Sequence, residues 1–428
     1  MIRSTKVQPA INPLVVSLKE SATLAINQKV KALKAAGKRV YHFGFGQSPF
    51  PVPATIQEAL RQNVDKKDYL PTQGLPELCD AVAKYYREEF GYHFEGRNVC
   101  IGPGSKELIF EAIFLTEGSL LVPAPSWVSY GPQAALRGKN VIPITRMRDN
   151  GYKLTAEELD HACYSMGHKQ KLLILNNPCN PTGSVYREEE MADLAAICRA
   201  YQVIVVSDEI YAKIDFDQKG TASLSKYYPE GTIVTGGLSK AFAAGGYRLG
   251  VMLIPDGLEP VMMALKSVIS ETFSAVSAPI QYAALAAYSD YPSIKPFVEK
   301  TTNIHRFATR YLHKRFEAMG LNCPRPDGAF YLFPDFENYR DKFRARGVIT
   351  GKDICEMILE EAHVAILPGS DFYFPATNLG ARVASVDYDG GYVLENWEGD
   401  PANEETTRKF FPNLVDGSDA LEKLLKSL

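Results

Sequence analysis

Residues 171–211 read KLLILNNPCNPTGSVYREEEMADLAAICRAYQVIVVSDEIY. They hold two short apolar runs, Lys171-Leu-Leu-Ile-Leu and Val203-Ile-Val-Val-Ser, with a helical pattern between them. Both runs are continuously hydrophobic and rich in Val, Ile and Leu, as strands of a parallel sheet are when helices cover both faces. Residues 187–201 put Met191, Leu194, Ala195 and Cys198 on one helical face. Glu188, Glu189 and Glu190 crowd the first turn, where the helix dipole favours negative charge. Strand, helix, strand in that order predicts one unit of an open α/β sheet.

The same pattern extends outward. Leu120-Leu-Val-Pro, Thr232-Ile-Val-Thr and Leu249-Gly-Val-Met-Leu-Ile read as further buried strands. The fold class is therefore α/β, with a mostly parallel open sheet flanked by helices. After about residue 290 the pattern changes. A long amphipathic helix runs from Pro292 towards Gly320, followed by a strand pair around Gly328-Ala-Phe-Tyr-Leu-Phe, a helix at 352–362 and a strand at Val364-Ala-Ile-Leu. These predict a second, smaller α+β domain. The expected division is an N-terminal segment at 1–45, packing with the small domain or a partner subunit, a large α/β domain at 46–290, and a small domain at 291–428.

Bulk properties bound the function. A chain of 428 residues exceeds the size at which one core stops growing, so two domains are expected. With 47 basic and 50 acidic side chains the net charge is −3, which gives no support for a nucleic-acid or polyanion partner. The seven cysteines form no CxxC pair and their number is odd, as expected of reduced thiols. No apolar run approaches the roughly 18–20 residues needed to span a membrane. Pro13 and Lys19 interrupt any signal-peptide core, which favours a cytoplasmic location.

In open α/β sheets, ligands sit beyond the carboxyl ends of the strands. The polar residues after each strand are therefore the candidates for chemistry. Asn176, Asn177 and Asn180-Pro-Thr-Gly follow the first run, and Asp208, Glu209 and Tyr211 follow the second. Ser239 and Lys240 follow Thr232-Ile-Val-Thr, and Arg248 comes eight residues after Lys240. An amide, a carboxylate with a phenol, and a lysine converge on one crevice. A lysine at a strand end with an arginine close by suits a Schiff base to a phosphorylated aldehyde cofactor.

Asp208-Glu209 also resembles the metal-binding strand of a P-loop NTPase. That class needs G-x-x-x-x-G-K-[ST], and Gly102-Pro-Gly-Ser-Lys-Glu has neither the glycine spacing nor the hydroxyl after its lysine. Gly104-Ser-Lys still opens a helix, whose free amides make an anion pocket, although Gly104 and Ser105 serve equally as an ordinary N-cap. Trp127, just past the Leu120 strand, can pack on the sheet or cover a planar ring.

Taken together these segments resemble the class I and II aminotransferases, pyridoxal-phosphate (PLP) enzymes of fold type I. The likeness runs from about Ser21 to Arg382. It is carried by Ser21-Ala-Thr-Leu-Ala-Ile-Asn, Gly46-Gln-Ser-Pro-Phe, Tyr69-Leu-Pro-Thr-Gln-Gly, Gly104-Ser-Lys, Ser126-Trp-Val-Ser-Tyr, Asn180-Pro-Thr-Gly, Asp208-Glu-Ile-Tyr, Ser239-Lys-Ala-Phe, Gly245-Gly-Tyr-Arg-Leu-Gly and Gly328-Ala-Phe-Tyr. The resemblance implies that Lys240 holds PLP covalently and then moves the Cα proton, as base and acid. It implies that Asp208 pairs with the ring nitrogen, that Asn180 and Tyr211 hold the ring oxygen, and that Trp127 stacks on the ring. Gly104, Ser105, Lys106, Ser239 and Arg248 would surround the phosphate. Tyr69 would reach the phosphate of a second subunit, which implies a homodimer. The Asn180–Pro181 bond is a candidate for the cis form, as in relatives.

Arg382, helped by the backbone at Gly46, is the expected anchor of the substrate α-carboxylate, although its flanks fit the family pattern only loosely. Ser267-Val-Ile-Ser-Glu-Thr-Phe-Ser-Ala-Val-Ser-Ala-Pro has no basic residue where one subgroup of dicarboxylate-specific relatives places an arginine. Thr23 and Lys106 match positions used by bacterial-type aspartate and prephenate aminotransferases. An acidic donor is thus expected, with aromatic 2-oxo acids left open. The partners are then a small amino acid and a 2-oxo acid, and no metal is required. Two alternatives stand beside transamination: another fold-type I activity such as a carbon–sulfur lyase, and a non-catalytic PLP-binding regulator. The latter is expected to carry an added DNA-binding domain, for which the roughly twenty residues before the family likeness leave too little chain.

Overall fold

The computed structural model describes residues 10–428 apart from 17, 19, 146, 147 and 219. The first nine residues of the expected N-terminal segment, and Lys19 within it, lie outside the described residues. The strands are β1 (Tyr41–His42), β2 (Val99–Gly102), β3 (Ser119–Ala124), β4 (Val141–Thr145), β5 (Lys171–Asn176) and β6 (Ile204–Asp208). They continue with β7 (Thr232–Gly237), β8 (Gly250–Leu253), β9 (Tyr331–Leu332), β10 (Val364–Ala365), β11 (Leu367–Pro368) and β12 (Ala381–Ala384).

Seven strands form the large sheet, in the order β4-β3-β5-β6-β7-β8-β2. β3 to β7 are mutually parallel, and β8 runs antiparallel to both its neighbours. The expected class holds: a mostly parallel open sheet between helices. Every residue of β5 is buried. Leu172 and Ile174 pack with Leu108 and Ile109 of the helix Ser105–Leu115. Leu173 and Leu175 face the other way, against Met191, Leu194 and Cys198 of the helix Glu188–Ala200. That alternation explains why a strand covered on both faces reads as an unbroken apolar run. β4, which carries Pro143, lies at the sheet edge, where a missing N–H costs no ladder bond.

The chain order reverses between β3 and β5: β4 lies outside β3, while β6 and β7 continue beyond β5. A crevice opens at the carboxyl ends of strands at such a switch point. Asp208 ends β6, and the segments after β3, β5 and β7 carry Trp127, Asn180 and Lys240, so the topology gathers them.

The rest of the chain builds a smaller layer beside this mouth. The helix Tyr291–Ala318 spans 28 residues and leads into the three-stranded antiparallel sheet β11-β12-β9. The expected strand pair around Gly328 is instead a single two-residue strand, β9, whose partner is β12 from fifty residues downstream. β1 pairs in parallel with β10, and Val30 of the helix Ala22–Ala35 packs with Val40, Leu359 and Ala365. The helix Ala22–Ala35 and β1 thus join the small layer, whereas Leu14 of the helix Pro13–Val16 lies beside Gly138, just past the helix Tyr130–Leu136 of the large sheet. The cis bonds are Ala124–Pro125 and Asn177–Pro178, not Asn180–Pro181. The trans preference is small at every X-Pro bond, so the residue pair marks only where a cis form is affordable, not which proline adopts it.

Candidate active site

A cavity of about 400 Å³ opens at the switch point. Thr23, Gly46, Ser105, Lys106, Trp127, Asn180, Asp208, Tyr211, Ser239, Lys240, Arg248 and Arg382 all line it. Gly104 stands immediately behind, as the N-cap of the helix Ser105–Leu115. Tyr69 is the exception. It is 95% exposed and takes no part in the cavity of this chain.

Two halves make up the site. The first rests on the large sheet. Asp208 ends β6 with its carboxylate buried, accepting a 2.6 Å hydrogen bond from the Tyr130 hydroxyl. Burial pushes its carboxyl up to about 6, opposed by the Tyr130 donor. Among the described residues no Lys or Arg lies at ion-pair distance from it, so a planar cation would find an unneutralised partner there. Lys240 reaches in from the turn after β7, and its Nζ donates to the Gly46 carbonyl at 2.8 Å. Enclosure lowers its ammonium to about 8, the nearby Arg382 adds to this, and Asp208 opposes it. An amine held near neutrality can act as nucleophile and as proton carrier.

Beside them lies an anion cradle. Gly104 has φ +96°, and a side chain there would run into the Arg248 guanidinium. Arg248, itself left-handed at φ 54°, donates to the carbonyls of Gly245 at 2.9 Å and Pro103 at 3.3 Å. The helix start, the Arg248 fork and the Ser105 and Ser239 hydroxyls border the same cavity. Lys106 Nζ sits 5.3 Å from the Trp127 ring, and burial followed by Arg248 lowers its pKa. These residues fit a phosphorylated planar aldehyde: a cradle only glycine leaves open, a buried unpaired carboxylate, and an amine between them.

The second half comes from the small layer. Arg382, in β12, is 1% exposed. Its fork donates to the Gly44 carbonyl at 2.7 Å and to Asn180 Oδ1 at 3.3 Å, while its Nε is buried without a partner. The guanidinium lies 4.9 Å from the Tyr331 ring and 5.2 Å from that of Phe372. Among the described residues no carboxylate lies at ion-pair distance from it, although Asp371 acts on it through space, and a cation buried in this way is costly unless an anion arrives. Asn180 links the halves, since its backbone N–H donates to Asn176 Oδ1 at 2.7 Å while Asn176 Nδ2 donates to the Asp208 carbonyl. Gly46 must be glycine, because any side chain would strike the Tyr331 hydroxyl.

Two residues the sequence reading gave no role belong to the site. Tyr130 holds Asp208, and Tyr331 meets the Tyr211 hydroxyl at 2.9 Å. Both sit inside motifs that carried the family likeness, Ser126-Trp-Val-Ser-Tyr and Gly328-Ala-Phe-Tyr. A lone tyrosine there reads as core packing, and only its hydroxyl partner distinguishes it. Among the described residues no group of three or more His, Cys, Asp and Glu side chains is arranged to hold a metal. No helix among them is long and apolar enough to cross a membrane.

Comparison with known proteins identifies the family. The pattern of the family "Aminotransferase class I and II" matches residues 38–386. The aspartate aminotransferase of Bacillus subtilis (strain 168) is 34% identical over 382 residues, covering 87% of this chain and 94% of that protein. A probable aspartate/prephenate aminotransferase of Aquifex aeolicus is 33% identical over 371 residues, covering 84% of this chain and 90% of its own length. The solved structure of Thermus thermophilus aspartate aminotransferase with maleate superimposes with a TM-score of 0.84 at 27% identity, over 97% of this chain and all of that one.

Proposed function

The chain belongs to the class I and II aminotransferase family and is an aminotransferase, and from that premise we propose that it uses PLP, held at Lys240, to move an amino group from an acidic L-amino acid to a 2-oxo acid. One observation carries the reading. Lys240 Nζ, the Asp208 carboxylate and the Arg382 guanidinium, neither of the last two in an ion pair among the described residues, line one cavity of about 400 Å³ beside the Gly104–Arg248 cradle.

When bound, PLP supplies an electron sink for the substrate carbon that loses its proton. The chain's own residues do the rest. Gly104, Ser105, Lys106, Ser239 and Arg248 hold the phosphate. Asp208, oriented by Tyr130, accepts from the ring N–H and keeps that nitrogen protonated. Asn180 and Tyr211 donate to the ring oxygen, and Trp127 covers the ring face. Arg382 and the Gly46 backbone seat the substrate α-carboxylate, which orients the Cα–H bond towards Lys240. The Lys240 amine would take that proton from Cα and return it to the carbon two bonds away, first as base and then as acid. Because the enzyme keeps the amino group between two substrates, the kinetics are ping-pong.

Thr23 and Lys106 support an acidic donor. Thr23 Oγ1 is buried without a partner at the wall that also holds Lys106, and the two can take a distal carboxylate. The relatives named as aspartate and aspartate/prephenate aminotransferases support the same choice. Tyr69 is placed by this reading at the phosphate of a second copy, making a homodimer with shared sites. The large and small domains divide near residue 290, and the enzyme works in the cytoplasm.

Borohydride reduction of the PLP-loaded protein, followed by peptide mapping, tests the attachment. A reduced cofactor on Lys240 is the expected result, and a label on any other lysine would refute the assignment. An amino-donor panel against 2-oxoglutarate, with aspartate turning over fastest, tests the substrate class.

A further inference from the structure

Tyr373 stands out among the residues with no role in this scheme. It follows the short turn Gly369–Phe372 and lies in the left-handed region, at φ 76° and ψ 12°. A bulky side chain rarely occupies that region, and residues held there must be fixed by their surroundings. The surroundings are specific. The Tyr373 hydroxyl donates to the Trp127 carbonyl at 3.0 Å and accepts from the Gly131 N–H at 2.6 Å. Gly131 lies in the first turn of the helix Tyr130–Leu136, where backbone N–H groups have no partner within the helix. Ser129, the N-cap of that helix, offers no side-chain bond, so a hydroxyl from 242 residues downstream takes the capping position. The fit is close: a Cβ on Gly131 would sit 2.8 Å from the Tyr373 ring.

This turn delivers two groups. Trp127 lines the cavity, and Tyr130, 5.2 Å away ring to ring, donates to Asp208. On the other side, Phe372 lies 5.2 Å from the Arg382 guanidinium, and β11, just before the Gly369 turn, pairs with Arg382 in β12. The same short segment thus touches both halves of the site.

We propose that Tyr373 is a positioning residue, whose hydroxyl locks the Trp127–Gly131 turn and so sets the Trp127 ring and the Tyr130–Asp208 bond, coupling them to the wall that carries Arg382. The placement of Trp127 stands without a cofactor, whereas its consequence for PLP rests on the function proposed above.

The test uses the full chain in a Trp397→Phe background, which leaves Trp127 as the sole tryptophan. Tyr373→Phe removes only the hydroxyl, and Gly131→Ala crowds the same contact from the other side. Both are expected to red-shift Trp127 emission before PLP is added and to weaken PLP binding about tenfold, the loss of one hydrogen-bonded link. If either variant keeps wild-type emission and PLP affinity, the role is refuted. A fall in Tm with both readings unchanged refutes it too, since that is packing alone. A parent protein that takes up no PLP would instead sink the proposed function, while the emission comparison would still decide the role of Tyr373.

Discussion

The two halves of the site are built in opposite ways. The cofactor half is assembled by one continuous architecture: β5, β6 and β7 are adjacent and parallel, β5 and β6 end in Asn176 and Asp208 at the crevice, and the turn after β7 brings Ser239 and Lys240 to it. The carboxylate half brings Gly44–Gly46, Asn180 and Arg382 together from segments separated by up to 338 positions. The first is anchored to a sheet buried on both faces. The second depends on how a small layer of two- to four-residue strands seats against it. Damage to the first half should therefore remove chemistry, and damage to the second should remove substrate recognition while leaving the cofactor in place.

Lys240→Ala breaks the comparison most severely. Turnover should fall by at least about 10³-fold, because nucleophile and proton carrier go together. The covalent PLP absorbance should vanish, as a spectrum of the purified variant would reveal. Arg382→Lys keeps the charge but loses the planar fork. It should lower kcat/KM for amino acids by about 10²-fold and change PLP affinity less than about threefold, measured by steady-state kinetics and equilibrium dialysis. Equal losses in both quantities would mean that the halves are not separable. Tyr130→Phe tests the cofactor half more gently. Without its donor the Asp208 carboxyl rises further from its ordinary value, so PLP affinity should fall about tenfold with KM for substrate nearly unchanged.

A stability measurement sharpens the same contrast. Enclosure lowers the Lys240 ammonium to about 8, so the folded protein resists a charge that the unfolded chain carries freely up to about 10.5. The penalty is full below pH 8, and it fades as pH rises from 8 to 10.5, above which neither state holds the proton. Cofactor-free Lys240→Ala should thus be more stable than cofactor-free wild type at pH 7 by about 3 kcal/mol. Denaturant titrations should show the gap closing between pH 8 and 10.5. The smallest effect is expected from Thr23→Val, a several-fold rise in KM for aspartate with no change for an apolar donor, since one neutral hydrogen bond is lost.

This division also governs what was legible in the sequence. Lys240, Asp208, Asn180 and Trp127 could be read because each follows an apolar run that announces a strand, and strand ends share one side of the sheet. Gly104 and Arg248 were readable because a helix start and an arginine fork suit phosphate. Arg382 was harder. Its strand is four residues long, and nothing near it in sequence states that Gly44 and Asn180 will receive its fork. Tyr130, Tyr331 and Tyr373 act through hydroxyls whose partners lie 78, 120 and 242 residues away. No local pattern marks such a contact, and a tyrosine among 23 reads as core. The misplaced cis bond has the same origin, since the sequence supplies the proline and the tertiary structure selects the isomer.

The most direct test of the two-half site is a single half-reaction. The PLP-loaded protein is mixed with L-aspartate alone, with no 2-oxo acid, and both absorbance and product are followed. The expected result is complete conversion of the cofactor to its amino form and one equivalent of the 2-oxo acid per site, with Arg382→Lys slowing the conversion but reaching the same end. Wild-type protein that holds PLP at Lys240, yet leaves it unconverted by every donor tried, would contradict it.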